Sequence, residues 1–299
     1  MKELVVLSGK GGTGKTSLVA AFAALAERKV LADCDVDAAD LHLILRPKIL
    51  RVEAFEGRRR ARIVADRCTA CGVCAEYCRS GAIACHPSGN EAVAKTYRVD
   101  PLACEGCGVC GLVCPSRAVE FGSGRDGEWY LSETRHGPMV HARLDPGGEN
   151  SGKLVTLVRK RARELAEERH LDLLVVDGSP GIGCPVIASV AGTDLILGVA
   201  EPTLSSQHDL GRLAGLAAHF RIRMVVCLNR ADLNPEIAST VERWCRARGI
   251  RVVGRIPYDP VFDRAQMQRK SVVEVGDGPA ARALRDVWQA TLAALETPE

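Results

Sequence analysis

LSGKGGTGKTS, residues 7–17, decides the fold. Within it, Gly9 to Thr16 satisfies the pattern G-x-x-x-x-G-K-[ST]. The stretch follows a short apolar run, Leu4–Leu7, which reads as a strand. It opens a helical pattern over Lys15–Arg28. That setting of strand, glycine loop and helix is what gives the motif meaning. Glycines let the backbone N–H groups of Gly11, Gly12, Thr13, Gly14 and Lys15 ring an anion, and the helix N-terminus adds a favourable field. Lys15 is placed to reach β- and γ-phosphates, and the Thr16 hydroxyl to hold Mg²⁺.

Working outward, short Val/Leu/Ile runs alternate with longer helical patterns. Val30–Asp33, Leu171–Asp177, Leu195–Val199 and Met224–Leu228 are apolar enough to be buried parallel strands. Lys153–Arg169, Ser206–Phe220 and Pro235–Arg248 read as helices between them. Strands alternating with helices predict an α/β fold with a doubly wound parallel sheet.

From about residue 46 to residue 150 the rhythm breaks. Cysteine, glycine and arginine replace helical patterns. CTACGVCAEYC, starting at Cys68, recurs in outline 36 residues later, and Cys68, Cys71, Cys74 and Cys78 map onto Cys104, Cys107, Cys110 and Cys114. The spacing C-x₂-C-x₂-C-x₃-C, twice over, is that of bacterial two-cluster ferredoxins, in which the fourth cysteine of each run serves the other cluster. It predicts Cys68, Cys71, Cys74 and Cys114 on one [4Fe–4S] cluster. Cys104, Cys107, Cys110 and Cys78 fall to the second. Zinc sites from paired C-x₂-C units do not need the third cysteine of each run. Pro115 follows Cys114 as the pattern has it, whereas Arg79 stands after Cys78. The expected layout is a nucleotide-binding domain of residues 1–62 and 123–299, with a small α+β ferredoxin-like domain, 63–122, inserted. Alternation in EWYLSETRHGPMVHARL, which starts at Glu128, suggests strands of uncertain placement. Cys85, Cys227 and Cys245 read as small apolar core residues, and His136 and His141 as hydrogen-bonded structural histidines.

Lys10 makes the phosphate loop distinctive. A second lysine there resembles the deviant Walker A loop of the MinD/ParA-type ATPases, relatives of the nitrogenase iron protein. The resemblance implies that Lys10 reaches across a dimer interface to the partner's nucleotide. It extends to DCDVDAADLHL, where Asp35 matches the aspartate that orients the attacking water. In VVDGSPGIG, Asp177 matches the Walker B aspartate on Mg²⁺, and Gly181 offers a backbone N–H to the γ-phosphate. Asn229 in LNRAD matches the residue that contacts adenine, and IPYDPVF, with Pro257, the segment that closes over the base. Asn-Arg-x-Asp also resembles the guanine-reading signature of GTPases, with Asp232 as acceptor; Lys10 favours ATP. Taken with the cysteine runs, the chain is similar over nearly its full length to MinD-superfamily ATPases carrying an inserted ferredoxin domain. The resemblance implies Mg-dependent ATP hydrolysis, with Lys10, Lys15 and Asp35 catalytic and Gly9 also in the loop. It implies a homodimer or paralogue heterodimer. Cys184 lies where the nitrogenase iron protein carries a ligand of its intersubunit cluster, and reads either as structural or as facing a dimer axis.

Composition narrows the function classes. Thirteen cysteines in a chain read as cytoplasmic point to metal rather than disulfides. The net charge of +3 does not call for nucleic acid. From Arg46 to Gly122 there are 12 Lys/Arg against 8 Asp/Glu. Two oxidised cubanes, at roughly −2 each with their thiolates, offset that excess. No apolar run reaches the length of a membrane span, and 280–295 reads as a core-packing helix. The leading expectation is ATP-driven electron transfer to a redox partner protein, without nucleic acid or membrane. A cluster carrier would use a later C-x-x-C pair, which does not occur after Cys114. A spatial organiser with redox-sensing clusters is the third reading.

Overall fold

The structure is a computed structural model and describes residues 1–148 and 151–297. Its strands are β1 (Lys2–Ser8), β2 (Lys29–Asp33), β3 (Lys48–Ile63), β4 (Ile83–His86), β5 (Thr96–Val99), β6 (Val119–Thr134), β7 (Gly137–Leu144), β8 (Leu173–Asp177), β9 (Leu195–Ala200), β10 (Arg223–Asn229) and β11 (Arg251–Ile256). Nine form one sheet in the order β11-β10-β9-β1-β8-β2-β7-β6-β3. From β11 to β7 every pairing is parallel.

β1, β8 and β9 are buried along almost their whole length, because helices cover both faces of a parallel sheet. The helix Lys15–Leu25 is apolar nearly all round and buries Leu18, Val19, Phe22 and the alanines between and after them. It therefore lies in the core rather than on it. Phe22 meets Trp288 of the helix Pro279–Glu296 with ring centroids 4.8 Å apart. Leu284, Val287 and Leu295 of that last helix are buried in the same core. Among the described residues no helix is long and apolar enough to cross a membrane.

The expected strands and helices are present with small shifts of boundary. The first helix stops at Leu25 rather than Arg28, since Ala26 is already extended at φ −75° and ψ 146°, and Arg28, at a left-handed φ of 44°, then turns the chain into β2. The segment without a clear place in the sequence becomes two sheet strands: β7 pairs parallel with β2, Leu31 beside Met139. β11 went unrecognised in the sequence because its run, RVVGRI, is short and interrupted by arginine and glycine.

The chain divides into two compact units. The larger contains Met1–Glu53, Trp129–Arg143 and the stretch from Ser151; the smaller contains Ala54–Glu128 and the short stretch from Leu144. Boundaries fall within β3, within β6 and at the last residue of β7.

In the smaller unit the duplication seen in the sequence is also a duplication of structure. Helices Val73–Glu76 and Val109–Val113 each begin after a left-handed glycine, Gly72 at φ 80° and Gly108 at φ 88°. A Cβ would strain either position. β4 and β5 form an antiparallel pair, Ile83 opposite Val99. The unit's own core gathers Ala61, Ala82 and Ile83 with Cys74, Cys104 and Cys110, and Tyr97 and Phe121 pack against it. Part of the arginine-rich run of β3 is buried in ion pairs: Asp126, fully buried, accepts the Arg58 backbone N–H at 2.7 Å and pairs with the Arg60 guanidinium.

Candidate nucleotide site and cysteine cavities

In the larger unit the carboxyl ends of β1, β2 and β8 bring the predicted residues together. Parallel register sets Val6 beside Asp177 and Asp33 beside Asp177. The phosphate loop leaves β1 and wraps the start of the first helix. A cavity of about 600 Å³ lies over it, lined by Gly11, Gly12, Thr13, Gly14, Lys15 and Thr16, with Asp35, Asn229 and Pro257. Tyr258, Phe262, Leu43 and Ile44 supply apolar wall. Sequence reasoning had marked the segment holding Tyr258 and Phe262 but not those side chains. Leu43 and Ile44 carried no local signal.

Several loop residues have a geometric reason. A Cβ on Gly9 would fall 2.1 Å from the Asp209 Cβ. Gly14 has φ 86°, and a Cβ there would sit 2.3 Å from the Asn229 amide nitrogen. That amide donates to the Thr13 carbonyl at 2.8 Å. In this structure Asn229 therefore braces the loop as well as lining the cavity. Lys10 lies outside the lining, its Nζ 3.4 Å from Glu201. Gly181, at φ 90°, gives its N–H to the Ser8 carbonyl at 3.0 Å. Asp232 accepts the Tyr258 N–H at 2.6 Å and does not line the cavity.

Lys15 is buried. Its Nζ donates to Asp177 and lies 3.6 Å from Asp35. Burial opposes its charge, but Asp177, Asp35 and Asp33 outweigh burial and raise its pKa. The carboxylates are crowded in turn. Burial, followed by Asp177, holds the Asp33 pKa well above the usual range. Asp35 rises from 3.8 to about 6, chiefly through burial, with Lys15 opposing and Asp177 adding. One Asp177 oxygen, Oδ2, is buried with no hydrogen-bond partner. Three carboxylates around one ammonium make a site suited to further positive charge.

In the smaller unit two small cavities are lined by the two crossed cysteine sets. Cys68, Cys71, Cys74 and Cys114 line one, with Ile63, Ala118 and Val119. Cys78, Cys104, Cys107 and Cys110 line the other, with Ala61, Ile83 and Phe121. Burial, then Cys114, pushes the Cys74 thiol up to about 11. Among the described residues, no three or more His, Cys, Asp or Glu side chains gather as the shell of a single metal ion.

The remaining cysteines and histidines divide. Cys227 and Cys245 are buried in the core as expected. Cys85 is not a core residue: it sits in β4, two residues after the buried Ile83, but is itself exposed. Cys184 is exposed at the start of the helix Cys184–Val190. His141 is buried, held near pKa 4 by burial and by His42, and lies 2.9 Å from the Ser132 hydroxyl. The His136 ring lies 3.2 Å from Glu274.

Parallel sheet, glycine loop, buried lysine and paired aspartates define a P-loop nucleotide-binding protein. The family model for the CobQ/CobB/MinD/ParA nucleotide binding domain matches residues 4–272. An uncharacterized protein of Methanocaldococcus jannaschii is 32% identical over 242 residues, 78% of this chain and 79% of its own length. The fold is similar to MinD of Pyrococcus horikoshii complexed with Mg-ADP, with TM-score 0.59 and 15% identity over 100% of this chain and 99% of that one. It is also similar to the MinC:MinD cell division complex of Aquifex aeolicus, with TM-score 0.57 and 19% identity over 100% and 98%. The chain belongs to the CobQ/CobB/MinD/ParA nucleotide-binding family.

Proposed function

We propose that this chain is a dimeric, Mg-dependent ATPase that couples nucleotide binding to electron transfer through two [4Fe–4S] clusters in its smaller unit. The observation that carries the reading is the crossed lining of the two cysteine cavities. Each holds three thiols of one repeat and the fourth of the other, the arrangement of a two-cluster ferredoxin. Four thiols in a mostly apolar lining are a suitable donor set, since thiolates are soft ligands. A cubane holds its thiolates at its outer corners, so the sites need not converge like a single-ion shell. When bound, such clusters supply one-electron redox chemistry at a potential set by burial and by hydrogen bonds to sulfur.

The nucleotide side follows from the larger unit's residues. Lys15, now on Asp177, turns to the β- and γ-phosphates. The unpartnered Asp177 oxygen and the Thr16 hydroxyl suit Mg²⁺ and its waters. Asp35 orients water for attack. Gly181 exchanges the Ser8 carbonyl for the γ-phosphate, and Lys10 leaves Glu201 for the partner's nucleotide. These exchanges give two states with different affinity for ATP, which coupling requires. The electron acceptor is a redox protein.

Anaerobic reconstitution with iron and sulfide tests the reading. About eight irons per chain, four per cubane, with reducible visible absorption, is the expected result. A wild-type chain that keeps its fold and binds no cluster refutes it. The spatial-organiser reading has the MinD fold on its side, but the last helix buries its apolar face in the core. ATP-dependent sedimentation with liposomes would favour that reading instead.

A further inference from the structure

We infer that Ser80 and Ser116 tune the two clusters by hydrogen-bonding the crossed-over thiolates, an inference that rests on the cluster reading above. Ser80 Oγ lies 3.5 Å from Cys78 Sγ, and Ser116 Oγ lies 3.6 Å from Cys114 Sγ. Each serine also lines the cavity of the cysteine it touches. Cys78 and Cys114 are the two cysteines that each repeat lends to the other's cavity.

The contact is built by the backbone. In one repeat the Gly81 N–H donates to the Cys78 carbonyl at 3.1 Å; in the other the Arg117 N–H donates to the Cys114 carbonyl at 3.2 Å. Both turns end in a left-handed residue, Gly81 at φ 64° and Arg117 at φ 51°. The middle residues differ, Arg79 against Pro115, and yet the serine and its contact are the same. Two turns of different sequence thus deliver one hydroxyl each to equivalent sulfurs.

A ligating cysteine is a thiolate and has no proton to give, so the serine hydroxyl must be the donor. Reduction adds negative charge that the cluster shares with its sulfurs. A donor on a sulfur then favours the reduced state and raises the potential. The sequence C-x-S places this donor on the one ligand per site that comes from the far repeat. Ser80 and Ser116 are therefore positioning residues, acting on the clusters through Cys78 and Cys114.

The test uses the full reconstituted chain, with iron content and an anaerobic potentiometric titration followed by EPR. Ser116→Ala is expected to keep full iron and to move one of the two reduction steps to lower potential. Ser80→Ala is expected to move the other step, and the double variant both. Ser80→Thr and Ser116→Thr keep the hydroxyl and are expected to titrate as wild type. Unchanged steps in the double alanine variant at full iron content overturn the inference. So do threonine variants that shift as far as the alanine ones. A wild-type chain without clusters overturns the reading beneath it, a failure that iron content separates from the other two.

Discussion

Asp35→Asn should make the nucleotide-free protein more stable while disabling it. Asp35 shares its surroundings with Asp177 and Asp33, and Lys15 is the one ammonium among them. Burial is the main reason its carboxyl moves from 3.8 to about 6. Keeping such a group ionised costs about 3 kcal/mol if the full shift counts. Its side chain is still 13% exposed, and solvent screening reduces the figure to about 2 kcal/mol. The sign follows from proton linkage. Between pH 3.8 and about 6 the folded state binds more protons at Asp35 than the unfolded state, so stability falls as pH rises through that window. The amide carries no such penalty. The variant should gain about 2 kcal/mol at pH 8 and about half of that at pH 5. Denaturant melts of nucleotide-free, chelator-treated protein at the two pH values measure it. An advantage absent at pH 8, or equal at both pH values, refutes the crowding argument. The same variant should hydrolyse Mg-ATP at least roughly 100-fold more slowly, an example of stability exchanged for function.

Three other perturbations probe separate parts of the molecule. Gly14→Ala places a Cβ 2.3 Å from the Asn229 amide at a φ of 86°, so isothermal titration should show nucleotide binding lost, with far-UV circular dichroism unchanged. Glu3→Ala strips the buried Arg159 guanidinium of its carboxylate, 2.7 Å away; a loss of roughly 3–5 kcal/mol is expected in denaturant melts. Cys114→Ser should disturb the EPR signal of the cluster assigned to the first repeat's Cys68, Cys71 and Cys74, although Cys114 belongs to the second; a change confined to the other cluster would overturn the crossed assignment.

What the sequence made legible was local. The phosphate loop, Asp35, Asp177 and Asn229 each lie at the end of an apolar strand, and parallel register then brings those ends together. The cysteine sets were legible because ligand spacing repeats within a few residues. What stayed hidden depends on distant partners. Nothing near β7 says that it will pair with β2, more than a hundred residues earlier in the chain. The arginines of β3 gave no sign of Asp126, which turns part of a basic run into buried ion pairs. Cys85 and Cys184 are exposed, which nothing in their local sequence reveals. Asn229 was matched to the base through resemblance, and its hold on the Thr13 carbonyl needed three dimensions.

Coupling between the nucleotide site and the cysteine cavities is the central claim. The direct measurement is an anaerobic EPR redox titration of the reconstituted chain, alone and with Mg-ATP, on wild type and Lys10→Ala. Two one-electron steps that shift with Mg-ATP in wild type, and shift less in Lys10→Ala, are the predicted result. Clusters that titrate at the same potentials with and without Mg-ATP, in a protein shown to bind the nucleotide, would contradict it.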